Sequence, residues 1–246
     1  MSYDLKSESE VKEYINNLGI EYRFGCYSEK KPDVCHLLAD FLEAIKKDYE
    51  KAGRVYKNNC DEFKYGKSCL KYGGYCLTGK GIRNSDYPAA YSYFEKGCNL
   101  DEPFSCFNQA ILLVTKNDTF GVQQDVLKGM NLLEKSCDAQ NATACYYLSG
   151  LHIAGARNGS KVGEKAEKDN YDIPRSMEKA FKYALVGCEL GNMYSCANLS
   201  QMYAKGDGVE KDLKLADKYK QKALDLQSET ENNSETLKFG LGLENK

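Results

Sequence analysis

The chain has 246 residues, of which 42% are hydrophobic, enough for a packed core in one large domain, two small domains or a row of repeated units. Its 34 basic and 36 acidic residues are interspersed and give a formal net charge of −2. The sequence therefore shows no cationic stripe of the kind that would support binding of nucleic acid or of an anionic membrane surface. No apolar run reaches the roughly 18 residues that a membrane span needs, so we do not expect an integral membrane protein.

Ten of the eleven cysteines form five pairs, separated by eight residues in the first two pairs and by seven in the last three. A regular paired array favours a repeat protein whose joints carry disulfide bonds. Zinc binding is less favoured because structural zinc sites use gaps of two to four residues. Thiol–disulfide exchange is less favoured because no Cys-x-x-Cys motif is present. We predict structural disulfides and no metal site; the pairs are Cys26/Cys35, Cys60/Cys69, Cys98/Cys106, Cys137/Cys145 and Cys188/Cys196.

The residues after the second cysteine of each pair repeat a common pattern. A small residue stands four positions later and a larger one seven positions later, and these offsets share one helical face. We expect the small position to let a neighbouring helix approach and the larger residue to fill the space one turn on. The small residues are Ala39, Gly73, Ala110, Ser149 and Ser200, and the larger ones are Leu42, Cys76, Leu113, His152 and Tyr203.

Glycines end most of these helices, and a second helix follows in each unit. Gly79-Lys80-Gly81, Gly155 and Gly206-Asp207-Gly208 supply the conformation that closes a helix. In the second helix that follows the first of these turns, Asp86 is the expected cap and Pro88 lies in the first turn. The first cysteine of a pair thus ends a second helix, and its partner opens the next first helix.

The pattern predicts an all-α fold, an α–α superhelix or solenoid of about five helix-turn-helix units with disulfide-linked joints. Residues 1–226 form the predicted solenoid, an N-terminal helix followed by about five hairpins, and residues 227–246 form a polar C-terminal tail. The unit between Cys137 and Cys188 is longer than the others. Its insertion, Ala156–Asn170, is charged and contains glycine. We expect a mobile surface segment, with a partner-docking loop as the alternative.

These units resemble the Sel-one-like repeat, a relative of the tetratricopeptide repeat. The residues that carry the resemblance are Gly73, Tyr75, Gly79-Lys80-Gly81, Ala89-Ala90, Tyr93-Phe94, Tyr203, Gly206-Asp207-Gly208 and Ala216. Cysteine-paired repeats of this type occur in bacterial secreted proteins and in mitochondrial assembly factors for cytochrome c oxidase. The chain resembles the second group over nearly its whole length, through stretches such as Cys26–Cys35, Tyr75–Gly81, Cys196–Asn198, Tyr203–Val209 and Leu237–Gly240.

The resemblance implies a non-catalytic, protein-binding factor of the mitochondrial intermembrane space, needed to build complex IV of the respiratory chain. Its expected partners are assembly proteins or subunits of that chain and, transiently, the oxidative import machinery. Paired cysteines agree with this address because they need an oxidising compartment. The acidic segment Met1–Glu10 lacks both the apolar stretch of a secretory signal and the arginines of a matrix presequence. A cytosolic protein with reduced thiols and a secreted bacterial-type binding protein remain alternatives.

Three further residues are candidates for chemistry. Cys76 is the unpaired thiol; we expect a buried, inert cysteine, with a reactive thiol as the alternative. His36 and His152 are the only histidines, and a packed helix histidine is the default for His152. A haem-binding or thiol-redox helper is the alternative function, with Met130, Met193 or Met202 as a second haem ligand. No haem-attachment motif is present, so we expect no cofactor and no enzymatic activity.

Overall fold

The chain is described from a computed structural model, which covers residues 4, 6–164 and 171–240, with side chains to residue 231. That part of the chain contains eleven α-helices, one short 3₁₀ helix at Asp118–Phe120 and a single antiparallel bridge between Ala156 and Ile173. The predicted all-α class is confirmed. The helices are α1 (Glu8–Tyr27), α2 (Pro32–Ala44), α3 (Tyr49–Asp61), α4 (Gly66–Thr78), α5 (Tyr87–Asn99), α6 (Pro103–Val114), α7 (Val126–Asp138), α8 (Ala142–Ala154), α9 (Met177–Glu189), α10 (Met193–Lys205) and α11 (Leu213–Gly240).

Several helices begin at a polar side chain that accepts hydrogen bonds from free amide groups of the first turn. The Asp86 carboxylate accepts from the backbone N–H of Ala89 at 2.9 Å, and Pro88 follows in the first turn of α5, as predicted. Each such cap stabilises its helix by about 1 kcal/mol. Other side-chain caps of this kind belong to Asp48, Asp125, Asn141, Ser176, Asn192 and Asp212.

Disulfides join the helices in consecutive pairs, from α1–α2 to α9–α10. The Cα atoms of each pair lie 4.5 to 4.9 Å apart, so the disulfide-linked solenoid is confirmed. Small residues beside the cysteines permit this close approach. A Cβ added to Gly187 would lie 2.4 Å from the Ser195 hydroxyl, and one added to Gly97 would lie 2.2 Å from that of Ser105. Any larger residue at either glycine would push the linked helices apart.

The predicted small positions lie on the packed face. Ala39, Gly73, Ala110 and Ser149 are buried, whereas Ser200 is half-buried. At Gly73 the requirement is strict, because an added Cβ would lie 2.6 Å from the ring of Phe94 on the following helix. The four-and-seven offsets therefore identify the helical face that contacts the neighbouring helix.

The chain divides into two compact units, each with its own core. Unit 1 comprises residues 1–109 and 118–122, and unit 2 comprises 110–117 and 123–246. A core cluster in unit 1 includes Leu38, Ala39, Ala52, Val55, Tyr56 and Tyr75. One in unit 2 includes Ala180, Ala184, Leu199 and Met202 together with the Cys188–Cys196 disulfide.

The C-terminal region contains the last helix of the described residues. Helix α11 continues through residue 227 to Gly240, so the backbone does not change at the predicted boundary. Residues 241–246 lie outside the described part, and a separate tail stays a prediction. Among the described residues, no helix combines the length and the apolar character that crossing a membrane requires.

Candidate protein-binding surface

The surroundings of the ten paired cysteines favour a structural role for their disulfides. The sulfur atoms of every predicted pair lie 2.05 to 2.10 Å apart. All ten side chains are buried, and Cys26 and Cys137, at 5% exposure, are the most accessible. A disulfide enclosed in this way offers little access to an attacking thiolate. The geometry favours joints that hold helices in register over a redox centre.

Cys76 lies on the packed face of α4 and is 2% exposed. Burial raises the pKa of its thiol, and this effect outweighs the opposing contribution of a hydrogen bond with Tyr72. Because the thiolate is the nucleophile, a raised pKa favours an unreactive Cys76 side chain at neutral pH. Its lack of reactivity in solution stays a prediction.

The two histidines occupy different environments. The Nδ1 atom of His36 lies 2.9 Å from the Ser68 hydroxyl, and its ring lies against those of Tyr56 and Tyr65. His152 is buried and stacks on Tyr183 with the ring planes 2° apart. Burial lowers the pKa of both histidines, so both are neutral at pH 7.

The methionines proposed as haem ligands are spread over three environments. Met202 is buried in the core between α9 and α10, Met193 lines an open groove on α10, and Met130 is half-buried on α7. Within the described ranges, no three His, Cys, Asp or Glu side chains lie close enough to hold a metal ion. Haem ligation by His152 stays a hypothesis.

One open apolar surface in unit 2 is a groove along α8, here called the α8 groove. It has a volume of about 570 Å³. Tyr147, 40% exposed, forms one side, and Gly150 has no atom within 4 Å of the position where its Cβ would be. The groove is therefore open beside Gly150. Its lining residues are Val114, Thr115, Lys116, Tyr146, Tyr147, Gly150, Leu151, Lys161 and Val162.

The insertion forms one wall of the α8 groove, and hydrogen bonds attach its first residues to neighbouring segments. Lys116 donates to the carbonyl of Gly159 at 2.7 Å, and the Asn158 side chain accepts from the backbone N–H of Val126 at 3.0 Å. Ser160 is buried, and Ala156 pairs with Ile173 through two backbone hydrogen bonds. Residues 156–160 of the expected surface segment are therefore anchored to the segment after α6, to the start of α7 and to Ile173, whereas residues 161–164 are exposed. The mobility of the insertion stays a prediction. Residues 165–170 lie outside the described part.

A second groove of about 470 Å³ lies between α10 and α11 and is here called the α10 groove. It adjoins the α8 groove, because the rings of Tyr146 and Tyr194 lie 5.6 Å apart. Tyr194 is 55% exposed and Leu224 is 49% exposed, so both present apolar surface to a partner. The lining residues are Met193, Tyr194, Ala197, Ser200, Gln201, Lys220, Ala223, Leu224 and Gln227.

Within the described part of the chain, each charged residue that lines these two grooves is a lysine, namely Lys116, Lys161 or Lys220. This local excess of positive charge contrasts with the net charge of −2 of the chain. Apolar surface edged by cations suits a segment of another protein better than it suits a small neutral metabolite. The combined surface contains no nucleophile paired with a base, and we interpret it as a binding surface.

The tyrosines and the glycine that shape the α8 groove do not stand out in the sequence. Tyr146, Tyr147 and Gly150 stand one, two and five positions after Cys145, away from the four-and-seven face that packs. Large apolar residues off the packed face are a signal for binding, but scattered exposed aromatics are common in proteins. The signal becomes specific only when the fold brings Tyr146 beside Tyr194.

The sequence profile of the Sel1 repeat matches residues 66–102, 117–141, 138–192 and 194–228. A Drosophila melanogaster protein named cytochrome c oxidase assembly factor 7 homolog is 52% identical over 266 aligned positions, covering all of both chains. Cytochrome c oxidase assembly factor 7 of Xenopus tropicalis is 39% identical, and the human protein of that name is 34% identical. Both alignments span 96% of this chain, with 97% of the Xenopus and 98% of the human relative.

Solved structures support the fold alone. A Sel1 repeat protein from Oxalobacter formigenes superposes with a TM-score of 0.68 at 17% identity, covering 88% of this chain and 83% of that one. The same helical repeat thus persists where the sequences have diverged widely.

Proposed function

This chain belongs to the Sel1 repeat family, and from that premise we propose that it is a non-catalytic, protein-binding assembly factor for cytochrome c oxidase (complex IV) that works in the mitochondrial intermembrane space. The observation that carries the proposal is the 52% identity, over the full length of both chains, with a relative named as such a factor. Two vertebrate relatives that carry the name of the same assembly factor further support the proposal.

The compartment is inferred from the cysteines. Five buried disulfides form and persist only where the surroundings are oxidising. Among mitochondrial compartments, the intermembrane space is the one in which cysteine-paired proteins are oxidised as they are imported. The disulfides and the names of the relatives together favour this address over the cytosol or a secretory route.

Binding is favoured over catalysis because of what the surface contains. The paired sulfurs are buried, the pKa of Cys76 is raised by burial, and the open grooves of unit 2 present tyrosine, aliphatic and lysine side chains. Helical repeats of this kind bind segments of other proteins along a helical face. The proposed partners are assembly proteins or subunits of the respiratory chain and, during import, the oxidative import machinery.

Depletion of the protein in cells that express it tests the role. We expect the amount and activity of complex IV to fall, with recovery on expression of the wild-type chain. The activity of citrate synthase, a matrix enzyme outside the respiratory chain, serves as the control for mitochondrial content. Unchanged complex IV after complete depletion would contradict the proposal.

Protease protection of intact mitochondria and of mitoplasts tests the address. The protein should resist protease in intact mitochondria and be digested once the outer membrane is opened, while a matrix marker stays protected. A count of free thiols on the natively purified chain should give one, Cys76. A count near eleven would contradict both the disulfides and the argument for the intermembrane space.

A further inference from the structure

We propose that the α8 and α10 grooves of unit 2 together bind one segment of another protein in which large apolar side chains are interspersed with carboxylates. The inference rests on the proposed function, because it names the chemistry of the partner that such a factor would bind. It depends on three observations, which are the exposed apolar side chains, the sign of the lining charge and the position of the insertion.

The first observation is the apolar surface left open at the grooves. Tyr147, Val162, Tyr194 and Leu224 are each 40 to 55% exposed although they adjoin packed helices. Tyrosine gives a large contact area at a low cost in side-chain entropy, which is why it is frequent at protein interfaces. A partner that covers these side chains needs aliphatic or aromatic anchors of its own.

The second observation is charge. Among the residues that the structure describes, Lys116, Lys161 and Lys220 are the charged side chains that line the two grooves. Lys161 and Lys220 form no salt bridge with any residue in the described ranges, so their ammonium groups are available to a partner. A basic segment would meet like charge here, whereas carboxylates beside the apolar anchors would be attracted.

The third observation is that the insertion completes the surface. Lys161 and Val162 come from the insertion, and the contacts of Asn158 and Gly159 with the segment after α6 and the start of α7 hold it against the groove. A charged loop anchored at the edge of an apolar groove supplies both a wall and a cation. The longer unit between Cys137 and Cys188 therefore gives unit 2 a binding feature that a shorter repeat would lack.

Site-specific photo-crosslinking in intact mitochondria identifies the occupant. A benzoylphenylalanine residue replaces Tyr147 or Tyr194, and the crosslinked peptides are sequenced by mass spectrometry. Phe104 is the matched control position, because it stands two residues before Cys106 as Tyr194 stands two before Cys196, and both are 55% exposed. We expect Tyr147 and Tyr194 to capture the same acidic, apolar segment of another protein, which Phe104 does not capture.

Two pairs of variants test the groove itself. Gly150→Phe fills the α8 groove, and Gly74→Phe is its control, because each glycine stands five residues after the second cysteine of its pair and has open space at the Cβ position. Lys161→Glu with Lys220→Glu reverses the lining charge. Lys30→Glu with Lys67→Glu changes the net charge equally on exposed residues of unit 1.

We expect Gly150→Phe and the Lys161/Lys220 double variant each to lower the crosslinking yield at least tenfold, while both controls change it less than twofold. The unfolding temperatures of all variants should stay close to that of the wild type, since the substituted sites are open or exposed. Lys161→Arg with Lys220→Arg should retain the yield.

Capture of a basic segment, of a second copy of this chain or of its own residues 232–246 would overturn the inference, as would an unchanged yield in the groove variants. If depletion lowers complex IV while Gly150→Phe restores it as well as the wild type does, the inference fails and the proposed function stands. If depletion leaves complex IV intact while the groove still captures an acidic segment, the proposed function fails and the occupant is still of the inferred chemistry.

Discussion

The two units are built from the same helical repeat, yet the polar contacts within them differ. In unit 1, Asp61 on α3 accepts hydrogen bonds from Lys57 at 2.9 Å, from Lys96 at 2.5 Å and from the Tyr93 hydroxyl at 2.9 Å. In unit 2, Tyr183 is the counterpart of Tyr93, since both stand five residues before a paired cysteine, and it donates to Glu134 at 2.8 Å. The tyrosine–carboxylate bond thus recurs, whereas among the described residues two lysines bind Asp61 and none is seen bound to Glu134.

A second polar network in unit 1 is built in the same way. The Tyr56 hydroxyl donates to Asp40 and to Glu43, and Glu43 also accepts from Lys80 at 2.5 Å. These bonds link α2 and α3 to the turn after α4. In unit 2, Lys161 and Lys220 instead line the open grooves. The comparison indicates that unit 1 uses Lys80 and Lys96 to link α2 and α3 to later elements, whereas unit 2 leaves Lys161 and Lys220 available for a partner.

The largest expected effect comes from removing a disulfide. Cys188→Ala with Cys196→Ala in unit 2, or Cys60→Ala with Cys69→Ala in unit 1, should lower the free energy of unfolding by about 3 kcal/mol, because each bond closes a loop of about ten residues. The ion pairs of unit 1 should support its helices when a disulfide is lost. Hydrogen exchange should therefore show that α9 and α10 of the unit 2 variant open at a lower free energy than α3 and α4 of the unit 1 variant.

Cys76→Ala is the control for the loss of sulfur packing. It removes one buried thiol and no crosslink, so we expect a loss of about 1 kcal/mol. A double variant that loses no more than twice this amount would show that the disulfide itself contributes little. Equal opening of both helix pairs would remove the proposed difference between the units.

A smaller effect concerns pH. Burial alone would raise the pKa of Asp61, but the hydrogen bonds from Lys96, Lys57 and Tyr93 outweigh it and lower the pKa from 3.8 to about 2. A depressed carboxylate pKa contributes stability that is complete above the unfolded value of 3.8 and is lost as pH falls through about 2. Because Asp61 is partly solvated, the contribution is about 1 kcal/mol.

Asp61→Asn should therefore lower the free energy of unfolding by about 1 kcal/mol at pH 7 and have almost no effect near pH 2, as measured by denaturant unfolding across this range. Glu134→Gln in unit 2 is the matched variant, and its effect at pH 7 should be smaller because no paired lysines surround Glu134 as they surround Asp61. An Asp61→Asn penalty that is independent of pH would contradict the ionic explanation.

What the sequence predicts well in this protein is local. Each cysteine pair spans eight or nine positions, and the small residue four places after the second cysteine marks the packed face, so the helix order and joints follow from short-range spacing. The anchors of the insertion were not predicted, because bonds such as that from Lys116 to Gly159 join residues 43 positions apart through a backbone carbonyl. Such contacts leave no residue pattern to detect. The grooves escaped prediction for the same reason, since they need Tyr146 and Tyr194 to meet across two helices.

The smallest effect compares the two open helical glycines. Gly74 in unit 1 and Gly150 in unit 2 occupy the same repeat position, and neither has an atom within 4 Å of the place that a Cβ would take. Gly74→Ala and Gly150→Ala should each raise the free energy of unfolding by about 0.5–1 kcal/mol, because alanine loses less backbone entropy than glycine in a helix. Denaturant unfolding measures this directly. Equal gains would mean that α8 is as open at Gly150 as α4 is at Gly74, whereas a loss at Gly150 alone would show that its side of α8 is packed and that no groove is open there.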